Sequence, residues 1–345
     1  MRDAVNREID YMRISITDRC NLRCRYCMPE GVEHVPMGQI LTYEEICSVA
    51  AAAAELGIRY IKVTGGEPLV RRDCPKLVRM LKAIPGIEKV TLTTNGVLLG
   101  EQLDDLKEAR IDGINVSLDT LNRERFARLT GYDVLDKVME AVFRVIEMGI
   151  RSKLNVVSLD FARGDVDPSN AWKTDENVRR MISQDWIDLI GLAKENPIDV
   201  RFIEMMPIGY GRYFPAVGHD KLLSALRVLY PGLTREENIH GSGPAIYYHI
   251  PGYTGDIGLI SAIHGKFCGG CNRVRLTAKG YLKPCLCYED GVDLRPILRA
   301  DLAETDRRSK LKTVIQSVIW GKPEEHCFEQ PENITERGDM VSIGG

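Results

Sequence analysis

The stretch YMRISITDRCNLRCRYCMPEG, residues 11–31, couples a β-prone run, YMRISIT, to a polar turn and then to Cys20, Cys24 and Cys27 inside eight positions. Three soft ligands so close together are one fewer than a structural zinc or an iron–sulfur cluster usually takes. A three-cysteine site leaves one metal position for something that arrives from outside.

Working outward, five further β-prone runs follow: YIKVTGG (60–66), KVTLTTNG (89–96), GINVSLDT (113–120), KLNVVSL (153–159) and DVRFIEMM (199–206). Helix patterns lie between most of them. TYEEICSVAAAAAELG opens with Thr42 and Glu45 in capping-box spacing and stops at Gly57, and DVLDKVMEAVFRVIEMG stops at Gly149. This alternation implies a parallel α/β sheet covered by helices, and six units rather than eight imply a partial (β/α)6 barrel. The runs TDRC, TGGEP, TTNG and SLDT end successive strands, so they converge on the rim where α/β folds bind ligands.

At 345 residues and 44% hydrophobic content the chain exceeds what one core usually supports. A barrel over 1–210 and a C-terminal region over 211–345 are expected. The net charge of −3 gives no overall bias toward nucleic acid or membrane, so an anionic ligand has to be held by a local group of arginines and lysines. MRDAVNREID is too charged for a signal peptide, and no apolar run approaches the roughly 18 residues of a membrane span. A cytoplasmic location is expected, where ten cysteines serve as metal ligands or core residues rather than disulfides. Cys47 and Cys74 read as core.

A second set, Cys268, Cys271 and Cys285, lies in CGGCNRVRLTAKGYLKPC. The middle reads as a hairpin; with its turn near Ala278, Cys271 and Cys285 stand equally far from it and Lys283 lies opposite Arg273. Arg273 and Arg275 share parity with Cys271 and project from the metal-binding face, where cations point to an anionic or heteroaromatic substrate. A zinc knuckle completed by another residue, such as Cys287, and a solvated charged face are the structural alternatives.

CxxxCxxC with Tyr26 before its last cysteine, joined by TGGEP at 64–68, resembles the radical S-adenosylmethionine (SAM) superfamily. Within it, TGGEPLVRRD, TTNG, NVSLDT, RFIEMMPIG, CNRVRLTAKGYLKPCL and the terminal Gly-Gly resemble the GTP 3′,8-cyclase family of molybdenum cofactor biosynthesis, from about residue 10 to Gly345. The resemblance implies two [4Fe–4S] clusters, one on Cys20, Cys24 and Cys27 and one on Cys268, Cys271 and Cys285. It implies SAM contacts at Tyr26, Gly66, Ser117 and Met206, and GTP contacts at Arg13, Lys62, Thr93, Lys153, Arg273 and Arg275. Gly344 and Gly345 would reach into the active site, and Arg273 and Arg275 would also serve catalysis. It further implies an electron donor of flavodoxin or ferredoxin type, hand-over of the product to cyclic pyranopterin monophosphate synthase, and a homodimer. The product would be 3′,8-cyclo-7,8-dihydro-GTP.

Arg13, Lys62 and Lys153 sit on expected barrel strands, where an interior cation is costly without an anion to meet it. Gly65 and Gly66, lacking side chains, would let the backbone approach the cofactor. No His–Asp base is evident among the six histidines. Lys62 departs from the arginine the family most often carries there, keeping the charge and losing the fork. The polar stretch 160–186 reads as a surface insertion. A radical SAM peptide or protein maturase is the alternative enzyme, and an iron–sulfur or zinc scaffold the non-enzymatic alternative.

Overall fold

The computed structural model describes residues 1–28, 34–159, 183–214, 217–238 and 240–343. All six expected strands form and alternate with helices: β1 (Tyr11–Ser15), α1 (Tyr43–Glu55), β2 (Tyr60–Thr64), α2 (Cys74–Lys82), β3 (Lys89–Thr94), α3 (Leu99–Glu108), β4 (Gly113–Ser117), α4 (Arg123–Thr130), α5 (Leu135–Glu147), β5 (Ser152–Val157), α6 (Gln184–Glu195) and β6 (Ile198–Ile203). Helix α1 carries the expected capping box, the Thr42 hydroxyl accepting from Glu45 N and the Glu45 carboxylate from Thr42 N. Gly57 and Gly149 take φ of +96° and +67° where their helices stop.

Strands β1 to β6 pair in parallel in sequence order. Their alternation explains the architecture. Met12, Ile14, Ile61, Val63, Leu92, Val116, Leu154 and Phe202 are fully buried in the core cluster that also takes in the helices. The opposite parity is polar: Arg13 registers with Lys62, Lys62 with Thr91, Thr93 with Asn115, Asn115 with Lys153, and Lys153 with Asp199. The core therefore lies between sheet and helices, and the inner face is left polar.

The C-terminal region adds α7 (His219–Leu229), β7 (Thr234–Glu236), β8 (Ile246–His249), β9 (Ile257–Ile260), β10 (Arg273–Leu276), β11 (Tyr281–Lys283), β12 (Val292–Asp293), α8 (Arg295–Leu298), α9 (Glu304–Trp320) and α10 (Met340–Ile343). Strand β10 joins β1 in parallel and β9 joins β6 in parallel, so one twelve-stranded sheet runs β12-β11-β10-β1-β2-β3-β4-β5-β6-β9-β8-β7.

Two expectations are corrected. The β10–β11 hairpin turns two residues' worth of register later than expected, with Lys283 opposite Arg275 rather than Arg273; Thr277 N bonds Tyr281 O and Gly280 N bonds Thr277 O, which centres the turn on Lys279. A shift of two keeps parity, so Arg273 and Arg275 stay on one face. The end of the expected surface insertion is core instead: Ser183 caps α6 and Trp186 is buried against Phe202. Residues 160–182 and the tail residues Gly344 and Gly345 lie outside the described residues. Among the described residues no helix is long and apolar enough to cross a membrane.

Candidate functional site

The first cysteine trio follows β1, at the end of the barrel where the parallel strands finish. Cys24 O accepts from Cys27 N (2.9 Å) and Met28 N (2.8 Å), a single tight turn, while Asn95 Nδ2 lies 3.6 Å from Cys20 Sγ. Burial and then the neighbouring thiols push Cys24 well above its ordinary value, and burial with Cys20 pushes Cys27 up to about 12. The three sulfurs therefore share one low-dielectric spot. Tyr26 donates to Asp119 Oδ2 (2.8 Å), whose other oxygen accepts Val157 N. Gly66, Ser117 and Met206 stand at the ends of β2, β4 and β6 on the same rim.

The glycines of TGGEP also have a packing role. A Cβ on Gly65 would lie 2.7 Å from Thr17 O, and one on Gly66 2.5 Å from Arg19 O and 2.9 Å from Val341 Cγ2. The missing side chains let this turn pack against the cysteine loop itself, where Gly66 N bonds Thr17 O and Glu67 N bonds Arg19 O. Glu67, fully buried, ties the turn to β3 through Thr94 Oγ1 and Asn95 N.

The barrel interior brings the expected cations together. Burial, followed by Arg201, Arg13 and Lys153, holds Lys62 well below its ordinary value; burial, Arg13 and Arg273 bring Arg275 down to about 9. Like charges face one another across one lumen, the signature of a site built for a polyanion. A cavity of about 510 Å³ opens from it toward the end where the strands begin, lined among others by Tyr11, Lys62, Asn115, Lys153, Arg201 and Tyr247. Thr93 lines the same parity and lies 3.5 Å from Asn115 Nδ2. Arg201 was missed as a site residue, although its parity with Asp199 in DVRFIEMM places it on the lumen face. His240 meets Asp199 and Asp256, and His249 meets Asp256, contacts that the sequence did not signal.

The second trio lies at the opposite end of the lumen. Cys268 and Cys271 precede β10, which is parallel to β1, so a strand of five residues, roughly 16 Å, separates the two ends. Cys271 N bonds Cys268 O, and Lys322 Nζ reaches Arg273 O (3.0 Å) and Pro284 O (2.6 Å). Burial raises Cys271, but Arg273 and Lys322 outweigh it and bring the thiol down to about 7. Cys287 is engaged elsewhere, its sulfur 3.3 Å from that of Cys327. Lys283 is paired with Glu336 (2.6 Å). Nothing in the sequence signals Lys322, because it belongs to no periodic element.

Three thiols at each end suit a cluster with one iron left open, whereas structural zinc usually takes four protein ligands. Among the described residues the one trio of Cys, His, Asp or Glu with ligand atoms all within 4.8 Å of one another is Asp199, His240 and Asp256.

The chain matches the Radical SAM superfamily model over residues 14–167 and the Molybdenum Cofactor Synthesis C model over residues 198–328. It is similar to a GTP 3′,8-cyclase of Clostridium perfringens (strain 13 / Type A), 38% identical with all of both chains covered. It is 41% identical, again over both full lengths, to a GTP 3′,8-cyclase of Desulforamulus reducens. In fold it is similar to Streptococcus suis SuiB bound to S-adenosylmethionine, with a TM-score of 0.60 at 14% identity over 98% of this chain and 78% of that one.

Proposed function

Since this chain belongs to the radical SAM GTP 3′,8-cyclase family of molybdenum cofactor biosynthesis, we propose a division of labour among its residues. It is an enzyme that uses SAM and [4Fe–4S] clusters to convert GTP into 3′,8-cyclo-7,8-dihydro-GTP. Cys20, Cys24 and Cys27 hold one cluster, with Tyr26, Gly66, Ser117 and Met206 on its SAM side; Cys268, Cys271 and Cys285 hold the other. When bound, these groups supply a hydrogen-abstracting radical at one end of the lumen and a metal position for the purine at the other.

The protein's share is binding and confinement. Arg13, Lys62, Thr93, Lys153, Arg273 and Arg275, with Arg201, hold the nucleotide; burial and then mutual repulsion depress Lys62 and Arg275, and a triphosphate would offset both. Fixing the ribose beside its own base lets the C3′–H bond break and a C3′–C8 bond form within one molecule, and a closed wall keeps water from the reacting carbon.

Gly344 and Gly345 support activity. Support comes from α10 just before them, whose Val341 abuts Gly66, and from Asp339, whose charge acts on Cys27. An acidic one-electron donor of flavodoxin or ferredoxin type fits the exposed Arg19 and Arg25 beside the first trio. The same reading includes a homodimer, a cytoplasmic location and transfer of the product to cyclic pyranopterin monophosphate synthase.

The observation that carries this reading is a cation-lined lumen with a cysteine trio at each end. Anaerobic turnover with SAM, a reductant and GTP deuterated at C3′ tests it. Deuterium is expected in 5′-deoxyadenosine; SAM cleavage with all deuterium retained on the nucleotide would remove C3′ from the reaction.

A further inference from the structure

Lys153 is the lumen cation held by a built polar scaffold. Its ammonium donates to Asp199 Oδ2 (2.7 Å) and Tyr247 Oη (2.6 Å), and all three side chains are largely buried. Asp199 is itself braced. His240 Nδ1 lies 3.0 Å from Asp199 Oδ2, and Asp256 N donates to Asp199 Oδ1 (3.3 Å). The His240 ring stacks on Tyr247 with centroids 4.2 Å apart, and its Nε2 lies 3.3 Å from Asp256 Oδ2. Strands β5, β6 and β8, with the residues leading into β9, thus converge on one ammonium.

A cation site is the competing use of Asp199, His240 and Asp256, whose ligand atoms cluster closely. Lys153 already occupies Asp199, however, and His240 spends one nitrogen on each carboxylate. The cluster is a support for a positive charge already present. An ammonium has three donors, and two are taken here, which leaves one for a ligand in the cavity that Lys153 lines.

We propose that Asp199, braced by His240, Asp256 and Tyr247, is a positioning residue for nucleotide binding, anchoring the Lys153 ammonium so that its remaining donor meets a phosphate oxygen of GTP. This rests on the reading of Lys153 as a GTP contact. The charged and titratable groups facing Lys153 are Asp199 and Arg201 from β6, Tyr247 from β8, Arg151 at the foot of β5 and Lys62 from β2, with His240 behind Asp199. Burial and Arg201 bring Lys153 down to about 7 against the opposing pull of Asp199. Without that carboxylate the lysine loses its proton at lower pH, so the alkaline limb of GTP affinity moves down.

Equilibrium GTP binding to the cluster-loaded enzyme, followed from about pH 6 to about pH 9, tests this with Asp199→Asn, Lys153→Met and the double variant. Each single change is expected to weaken GTP about tenfold near neutral pH, the size of one charge-assisted hydrogen bond. The Asp199→Asn loss should be largest up to about pH 7, where only the wild-type Lys153 keeps its proton, and should fade toward about pH 9, where the lysine is neutral in both; in the Lys153→Met background it should vanish, because the group it serves is gone. Tyr247→Phe, which removes one anchor and no charge, gives a smaller loss of the same sign. An Asp199→Asn loss that persists undiminished beside Lys153→Met, or wild-type affinity at every pH, overturns the proposal. Wild-type affinity in Lys153→Met alone overturns instead the reading of Lys153 as a GTP contact.

Discussion

Lys62 is a residue whose cost to the fold and use to the site have one origin. It is 8% exposed, on a parity where its nearest charges are Arg13, Arg201 and Lys153, all positive. A lysine whose folded pKa lies below its unfolded value near 10.5 binds fewer protons when folded. Stability then rises with pH between the depressed value and about 10.5, and the full penalty stands below that window. Lys62→Met keeps the stem and removes the charge, so the ligand-free protein is expected to gain about 1–3 kcal/mol at neutral pH, with the gain shrinking toward pH 10. The same variant should bind GTP about tenfold more weakly. Denaturant titration at two pH values, together with GTP binding, checks both halves; a destabilised variant that binds GTP normally would contradict the account.

At the scale of elements, the strands were legible because each β-prone run ends in turn residues, and the helices because caps and glycines punctuate them. The strand runs put Arg13, Lys62 and Lys153 on the barrel wall, but the residues alone left Lys62 and Lys153 as readily solvent-facing, and it was the family resemblance that turned them toward the lumen. The hairpin register was not legible, since Thr277 to Gly280 can turn about either of two centres and the sequence does not state which hydrogen bonds close it. The scaffold behind Lys153 was hidden for a related reason: His240 lies in a loop without period, and which barrel edge receives β8 and β9 is not encoded in any local run. TGGEP was legible as a motif, but the packing its glycines allow was not. Its glycines serve the turn between β2 and the cysteine loop, so Gly66→Ala forces a Cβ to 2.5 Å from the Arg19 carbonyl oxygen and has to push that loop away. The expected result is a loss of about 2–3 kcal/mol and reduced iron at the first site while the second keeps its own. Iron analysis with spectroscopy of each cluster distinguishes the two; undiminished first-site iron would show that the loop tolerates the displacement.

For the whole molecule, the sheet explains how two cysteine trios far apart in sequence come to cap one lumen. Strand β10 continues the barrel beyond β1, so the C-terminal region supplies wall as well as ligands, and the lumen separates the trios instead of bringing them to one mouth. What locks that region to the chain's beginning is Arg7. Its guanidinium, 7% exposed with the rest of the residue, donates to Asp3 Oδ2 (2.6 Å), Cys268 O (3.0 Å), Pro323 O (2.7 Å) and Glu324 O (2.7 Å). One side chain therefore ties the N-terminus to the Cys268 turn and to the segment that carries Lys322, whose ammonium steadies Arg273 and Pro284. Arg7→Met preserves much of the volume but leaves the buried Asp3 Oδ2 and four carbonyls, that of Lys322 (3.4 Å) included, without their donor, a loss of about 3–5 kcal/mol by analogy with other broken buried pairs. Because all four carbonyls belong to the second site's surroundings, the damage should be polar: thermal stability falls, iron content drops by about half as the second cluster is lost, and SAM cleavage at the first site survives without GTP cyclisation. Equal loss of both clusters would mean that Arg7 supports the sheet as a whole, and an unchanged melting temperature would mean that the segment around residue 323 finds other donors.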